Sequence, residues 1–242
     1  MTLRILPDTN ALADALARQV AQWLRAAVAE RGAFHWALAG GRTPATLYRI
    51  LATKPYADLP WSQVHIWFGD ERAVPHHHPD SNFRMVRETL LDFVPIPGQH
   101  IHPMPSRMED LRQGALAYAQ ALAVSLPREN GLPRLDLALL GMGADGHVAS
   151  LFPGSAALRE THQAAVANYA PAPAAWRITL TTPTIEQARR IVLLVAGADK
   201  ASAVARALDP NPRPPPLPVQ RLKPVGEVIW YLDAAAASLL PT

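Results

Sequence analysis

The chain has 242 residues, 49% hydrophobic and 18% charged: enough apolar material for one large α/β domain or two small ones, and too much for a disordered chain. Its net charge of +3, from 23 basic against 20 acidic residues, is spread out rather than clustered, which argues against a nucleic-acid-binding surface. Cysteine is absent, so disulfides and cysteine catalysis are excluded, and no apolar run is long enough to span a bilayer.

The opening MTLRILPDTNALADAL lacks the apolar core and cleavage site of a signal peptide, so a cytoplasmic protein is expected. Asp8 or Thr9 caps a helix in which Leu12, Leu16, Val20, Trp23, Leu24 and Val28 form one apolar stripe, ended by Gly32. Phe34 to Ala39 reads as a short strand. It runs into Gly40-Gly41-Arg42-Thr43-Pro44 and a helix with Leu47, Ile50 and Leu51 on one face. Thr43 suits the N-cap and Pro44 the first helical position. A strand, a Gly-Gly turn and a helix N-terminus make a ready anion site, although a tight connection alone would look the same.

Val64 to Gly69 is the next strand and ends in Asp70-Glu71-Arg72. In a parallel sheet these charges share an edge with the Gly-Gly turn, and three charges directly after a buried strand are not expected by accident; an ion pair of Arg72 with its acidic neighbours is the plain reading. The run His76 to His78 reads as exposed loop, because adjacent residues point in different directions and zinc ligands are spaced apart. Asp80-Ser81-Asn82 caps a helix carrying Met85, Val86, Leu90 and Phe93. His100 and His102 alternate about Ile101 as ordinary edge residues, and Glu109 to Leu126 is a further amphipathic helix.

Leu135 to Leu140 is nearly all apolar and reads as a buried parallel strand. Gly141, Gly143 and Gly146 follow, with Asp145 and His147 among them. Such a turn lets the backbone approach a ligand, and ligands of open α/β sheets sit past the carboxyl ends of the strands. An ordinary βα turn with a satisfied histidine is the plain alternative.

Ala164 to Ala167 forms a short strand, the Ala/Pro run to Ala175 a loop, and Arg177 to Thr181 another strand with an arginine at its start. Pro183 to Arg189 makes a short helix. Ile191 to Ala196 is a buried strand, followed by Gly197-Ala198-Asp199-Lys200 and a helix through Leu208. Besides Lys54 and Lys223, Lys200 is the only lysine in a chain that otherwise uses arginine. It sits where a cation opposes the helix dipole, a placement that an anion would compensate. The proline-rich stretch Asp209 to Pro218 is a stiff loop rather than a ligand for an SH3-like partner. Glu227 to Leu232 is a last strand and Ala234 to Leu240 a terminal helix.

Strands and helices alternate along the chain. The expected fold is α/β, a single domain over residues 1–242 with a mostly parallel sheet and helices on both faces, doubly wound and Rossmann-like. Four strand ends carry polar residues: Gly40 to Thr43, Asp70 to Arg72, Asp145 with His147, and Lys200. No Gly-x-Ser-x-Gly elbow, Gly-x-Gly-x-x-Gly dinucleotide turn or Walker lysine is present. The residues alone describe a phosphosugar-binding α/β enzyme with His147 as candidate general base.

The string GMGADGHVASLFP resembles the signature of the 6-phosphogluconolactonases, relatives of the glucosamine-6-phosphate deaminases. The deaminase loop reads roughly Ile-Ala-Phe-Asn-Glu-Pro after Asp-Gly-His, and Phe152 stands here at the place of that glutamate. The family's Gly-Gly-Ser-Thr-Pro turn is similar to Gly40 to Pro44, with Arg42 in place of serine, either touching phosphate or facing solvent. Asp70-Glu71-Arg72 matches the lactonase form, where the deaminases have tyrosine third.

The resemblance implies hydrolysis of 6-phospho-D-glucono-1,5-lactone to 6-phospho-D-gluconate, in the oxidative pentose phosphate pathway, without metal or cofactor. It implies His147 as the base, with Asp145 or Asp70 orienting the imidazole or the water, and loop N–H groups or Arg72 meeting the oxyanion. Gly40, Gly41, Arg42, Thr43, Arg72, Arg177 and Lys200 would bind substrate. The expected partner is the phosphosugar lactone, with no nucleic acid and no membrane, in a monomer or weak homo-oligomer. The rival readings are a glucosamine-6-phosphate deaminase/isomerase-like enzyme and a non-catalytic sugar-phosphate sensor.

Overall fold

The five apolar runs read as core strands lie side by side, all parallel, and a sixth strand joins them at one edge. The computed structural model describes residues 1–106, 110–129, 131–171, 174–211 and 214–241. In chain order the elements begin with β1 (Thr2–Leu6), α1 (Thr9–Arg31), β2 (Phe34–Leu38), α2 (Arg42–Leu51), β3 (Val64–Phe68), β4 (Asp70–Arg72) and α3 (Asn82–Val86). There follow α4 (Leu111–Ser125), β5 (Arg128–Glu129), β6 (Leu132–Pro133), β7 (Leu137–Leu140), β8 (Ala165–Pro171) and β9 (Ala174–Leu180). The chain ends through α5 (Thr182–Glu186), β10 (Arg190–Val195), α6 (Ala201–Ala207) and β11 (Glu227–Asp233).

The central sheet runs β1-β11-β10-β7-β2-β3. Alternation along β2 and β3 sends side chains to opposite faces. On one face Trp36 meets Tyr48 of α2 edge-on, and α1 packs beside α2. On the other Trp67 meets Tyr118 of α4, whose hydroxyl bonds the Phe68 backbone. Helices therefore cover both faces, and β2, β7 and most of β10 are buried, as crossover connections require. Among the described residues no helix is long and apolar enough to cross a membrane.

Local chemistry explains the boundaries. The Asp8 carboxylate accepts from the N–H groups of Asn10 and Ala11 at the start of α1, and Gly32, at φ +77°, ends it. Ser81 caps α3 through Arg84 N–H, and Asp110 caps α4 through Arg112 N–H.

Several expectations need correction. The helix after the Gly-Gly turn begins at Arg42 with Gly41 as N-cap, not at Pro44 with Thr43. Gly41 takes φ +105°, which a threonine there would resist. β1 was not anticipated, because its exposed residues have no core pattern. Ala234 to Leu240 forms turns rather than a helix. The Asp233 carboxylate takes the Ala236 N–H in a cap-like bond, but the turns that follow do not continue into a regular helix.

The strand at Ala164 to Ala167 is longer than expected, and Arg177 to Thr181 does not join the parallel sheet. β8 and β9 form an antiparallel hairpin, and β4 pairs with β9 in a separate sheet, β4-β9-β8. Glu109, residues 172–173 of the Ala/Pro run and residues 212–213 of the proline-rich loop lie outside the described residues.

Candidate active site

A cleft of about 340 Å³ opens at the carboxyl ends of β2, β3 and β7. Its wall contains Gly40, Gly41, Asp70, Arg72, His147, Arg177 and Lys200. These residues come from five stretches of chain brought together by the fold at the carboxyl edge of the sheet, the placement expected of ligands in open α/β sheets. Arg42 and Thr43 fall outside the lining: Arg42 is exposed at the start of α2 and Thr43 is half-buried.

The loop after β7 is folded by its glycines. Gly143 N–H donates to the His147 carbonyl at 2.9 Å, and Gly146 N–H to the Gly143 carbonyl at 2.9 Å. A Cβ at Gly143 would lie 2.1 Å from His147 Nδ1, so only glycine leaves space for the ring. The Asp145 carboxylate reaches His147 Nδ1 at 2.5 Å. That contact places the ring proton on Nδ1 and leaves Nε2 as the free lone pair. Burial would push the Asp145 carboxyl up, but its bonds from the His147 ring and backbone hold it below the usual range. Phe152 packs against the His147 ring with centroids 4.4 Å apart.

Asp70 does not touch His147. Its carboxylate accepts from Asn82 Nδ2 at 3.2 Å and Ser150 Oγ at 2.5 Å, and faces Arg177 Nη1 at 3.7 Å. Arg72 and Arg177 stand directly opposite each other in the β4–β9 register. Like charges so placed repel, and an anion between them would relieve the repulsion. Burial pulls the Arg177 guanidinium down, Asp70 opposes that and Arg72 adds to it.

Arg72 makes no side-chain ion pair among the described residues. Its guanidinium donates to the Asp80 carbonyl, while Glu71 takes the Arg72 backbone N–H. Glu71 is fully buried and ties β4 to the start of α3, also accepting from Ser81 Oγ and the N–H groups of Asn82 and Phe83. Burial raises its carboxyl pKa against these donors. Lys200 stands at the N-cap position of α6, with Nζ 3.2 Å from Asp199.

Sequence reasoning missed Asn82 and Ser150. Asn82 was read only as part of a helix cap, yet it fills the space that a Gly40 Cβ would need and bonds Asp70. The glycine at position 40 was the available signal. Ser150 carried none, standing as one small residue in an apolar stretch. The histidine run at 76 to 78 gathers no metal-binding cluster among the described residues, and His76 Nε2 lies 2.9 Å from the Met104 carbonyl.

A family model described as glucosamine-6-phosphate isomerases/6-phosphogluconolactonase matches residues 7–230. The chain is 45% identical to a 6-phosphogluconolactonase of Synechocystis sp., over 88% of each chain. It is 40% identical to a 6-phosphogluconolactonase of Nostoc sp., over 99% of this chain and 98% of that one. Its fold is similar to the 6-phosphogluconolactonase of Trypanosoma brucei, with a TM-score of 0.90 and 31% identity, over 99% of this chain and 98% of that one.

Proposed function

The chain belongs to the glucosamine-6-phosphate isomerase/6-phosphogluconolactonase family, and from that premise we infer that it is the lactone hydrolase of the pair. It converts 6-phospho-D-glucono-1,5-lactone and water to 6-phospho-D-gluconate, a step of the pentose phosphate pathway. One observation carries the choice against the deaminase: Phe152 is an apolar ring packed on His147, where the deaminase motif has a carboxylate.

In the mechanism we favour, His147 Nε2 takes a proton from water as its oxygen attacks the lactone carbonyl carbon. The imidazolium that forms is stabilised by Asp145, which the 2.5 Å contact supports. The carbonyl oxygen becomes an oxyanion, met by loop N–H groups. The C–O bond to the ring oxygen then breaks, and that oxygen takes the proton back from His147. Arg72, Arg177 and Lys200, with the Gly40-Gly41 turn at the α2 N-terminus, receive the phosphate.

Asp70 is better suited to holding Asn82 and Ser150 than to orienting the imidazole, since its oxygens are engaged there. We take the chain to work as a single catalytic domain in the cytoplasm.

The test is hydrolysis of freshly made 6-phosphogluconolactone with spontaneous opening subtracted, beside ammonia release from glucosamine 6-phosphate. Acceleration of the first without the second is expected. Ammonia release without lactone hydrolysis would overturn the assignment.

A further inference from the structure

Ser150 lies one turn beyond His147, is fully buried, and is held on three sides. Its N–H donates to Thr179 Oγ1 at 3.2 Å, its carbonyl accepts from Asn168 Nδ2 at 2.7 Å, and its hydroxyl donates to Asp70 Oδ2 at 2.5 Å. The backbone enters this position through Ala149 at φ +48°, a left-handed conformation that costs a non-glycine residue energy. The chain is thus bent at some cost, and the bend delivers one hydroxyl to one carboxylate oxygen.

That oxygen is the one Arg177 faces. Arg177 Nη1 stops 3.7 Å from Asp70 Oδ2, outside hydrogen-bond range, although its side chain is only 9% exposed and its Nε has no partner among the described residues. A buried guanidinium beside a carboxylate normally closes into a two-pronged pair. Here Ser150 and Asn82 occupy the two carboxylate oxygens first.

We propose that Ser150 is a positioning residue for substrate binding: its hydroxyl holds Asp70 Oδ2 and so keeps Arg177 from closing onto that carboxylate, leaving the guanidinium available to the phosphate of the substrate. The proposal rests on the reading of the cleft as a phosphosugar site. Without the hydroxyl, the 3.7 Å ion pair closes into a direct hydrogen-bonded one, and Asp70 competes with the phosphate for the guanidinium. The cleft then offers Arg72 and Lys200 in place of three cations.

The experiment compares wild type, Ser150→Ala, Arg177→Ala and the double variant. It measures KM and kcat for the lactone and, by calorimetry without turnover, Kd for inorganic phosphate. Loss of one charge-assisted contact predicts a rise of roughly tenfold in both KM and phosphate Kd for Ser150→Ala, with kcat within about twofold. In the Arg177→Ala background, Ser150→Ala should add nothing further. A merely structural serine would lower the melting temperature and leave KM and phosphate Kd of the folded protein unchanged.

Wild-type KM and phosphate Kd in folded Ser150→Ala, or an undiminished effect without Arg177, would overturn the proposal. If Ser150→Ala does not fold, Ser150→Cys, similar in volume but a weak donor, takes its place with the same expectations. A chain that binds phosphate but does not turn over lactone would sink the enzymatic reading while leaving the phosphate measurement to judge Ser150.

Discussion

Asp145 Oδ1 accepts from both ends of His147: it stands 2.5 Å from the ring Nδ1 and 3.2 Å from the backbone nitrogen. Two residues separated by one glycine thus fix the hydrogen bonding of the proposed base within a single loop. His147→Ala should lower kcat about 10²–10⁴-fold, the usual contribution of a positioned acid–base group, with a melting temperature near wild type. Asp145→Asn should lose less, because the amide oxygen can still accept from Nδ1 but no longer offsets an imidazolium charge. Steady-state kinetics with the background reaction subtracted decide it. Wild-type kcat in His147→Ala would move the base elsewhere in the cleft.

Arg72 and Lys200 line the same cleft from β4 and the α6 N-terminus. Each is predicted to act on binding. Arg72→Ala and Lys200→Ala should each raise KM roughly ten- to a hundredfold, as expected for a charge-assisted contact of about 1.5–3 kcal/mol, with a smaller effect on kcat. If both variants keep wild-type KM, the phosphate is held by other groups.

A second histidine assembly, on the stretch that starts β2 and β3, bears on stability. His65 stacks on His100 with centroids 3.9 Å apart and on His35 at 4.6 Å, and Trp67 stacks on His102 at 3.9 Å. Trp67 Nε1 donates to His35 Nδ1 at 3.3 Å, which requires that nitrogen to be unprotonated. Burial, reinforced by the neighbouring histidines, lowers His35 and His102 to about 4 and lowers His65 too.

Unfolded histidines take up protons near pH 6.5. Between there and about 4 the unfolded state binds more protons, so stability is full above about 6.5 and falls as pH drops toward 4. For the nearly buried His35 the shift corresponds to a loss on the order of 3 kcal/mol. Urea midpoints should decline steeply between pH 6.5 and 4.5. A constant midpoint over that range would show that the stack accepts protons while folded.

The parallel sheet was legible because each of its core strands is a mostly apolar run, unbroken in Leu137–Leu140 and interrupted by one histidine in Phe34–Leu38 and in Val64–Phe68, and each is closed by glycine or charge. The cleft was legible for the same reason: Gly40, Asp70, His147 and Lys200 each follow such a run within a few residues. What escaped depended on pairing between distant segments. Arg177 opposes Arg72 only because β9 leaves the main sheet to pair with β4. Asn82 and Ser150 meet at Asp70 from opposite sides. His100 and His102 were read as edge residues because their alternation is local, whereas their stacking partners His65 and Trp67 lie on another strand.

The geometry of the Asp145–His147 pair depends on a residue with no side chain. At Gly143 a Cβ would fall 2.1 Å from His147 Nδ1, 2.2 Å from its Cε1 and 2.6 Å from Asp145 Oδ1. These are the atoms that orient the base, and all three distances are far inside van der Waals contact. Gly143 is not among the residues at positive φ, so alanine is acceptable to the backbone there, and the three nearest conflicts are all with the two side chains. The ring must therefore swing away from Asp145, and Nε2 with it. Gly143→Ala is predicted to lower kcat by about the same 10²–10⁴-fold as loss of the imidazole while the protein stays folded. Gly98→Ala is the control, since a Cβ there meets nothing within 4 Å. Thermal melts and kcat of the two variants are measured side by side. Wild-type kcat in Gly143→Ala would mean that the ring can relocate without loss, and that its contact with Asp145 does not set the rate.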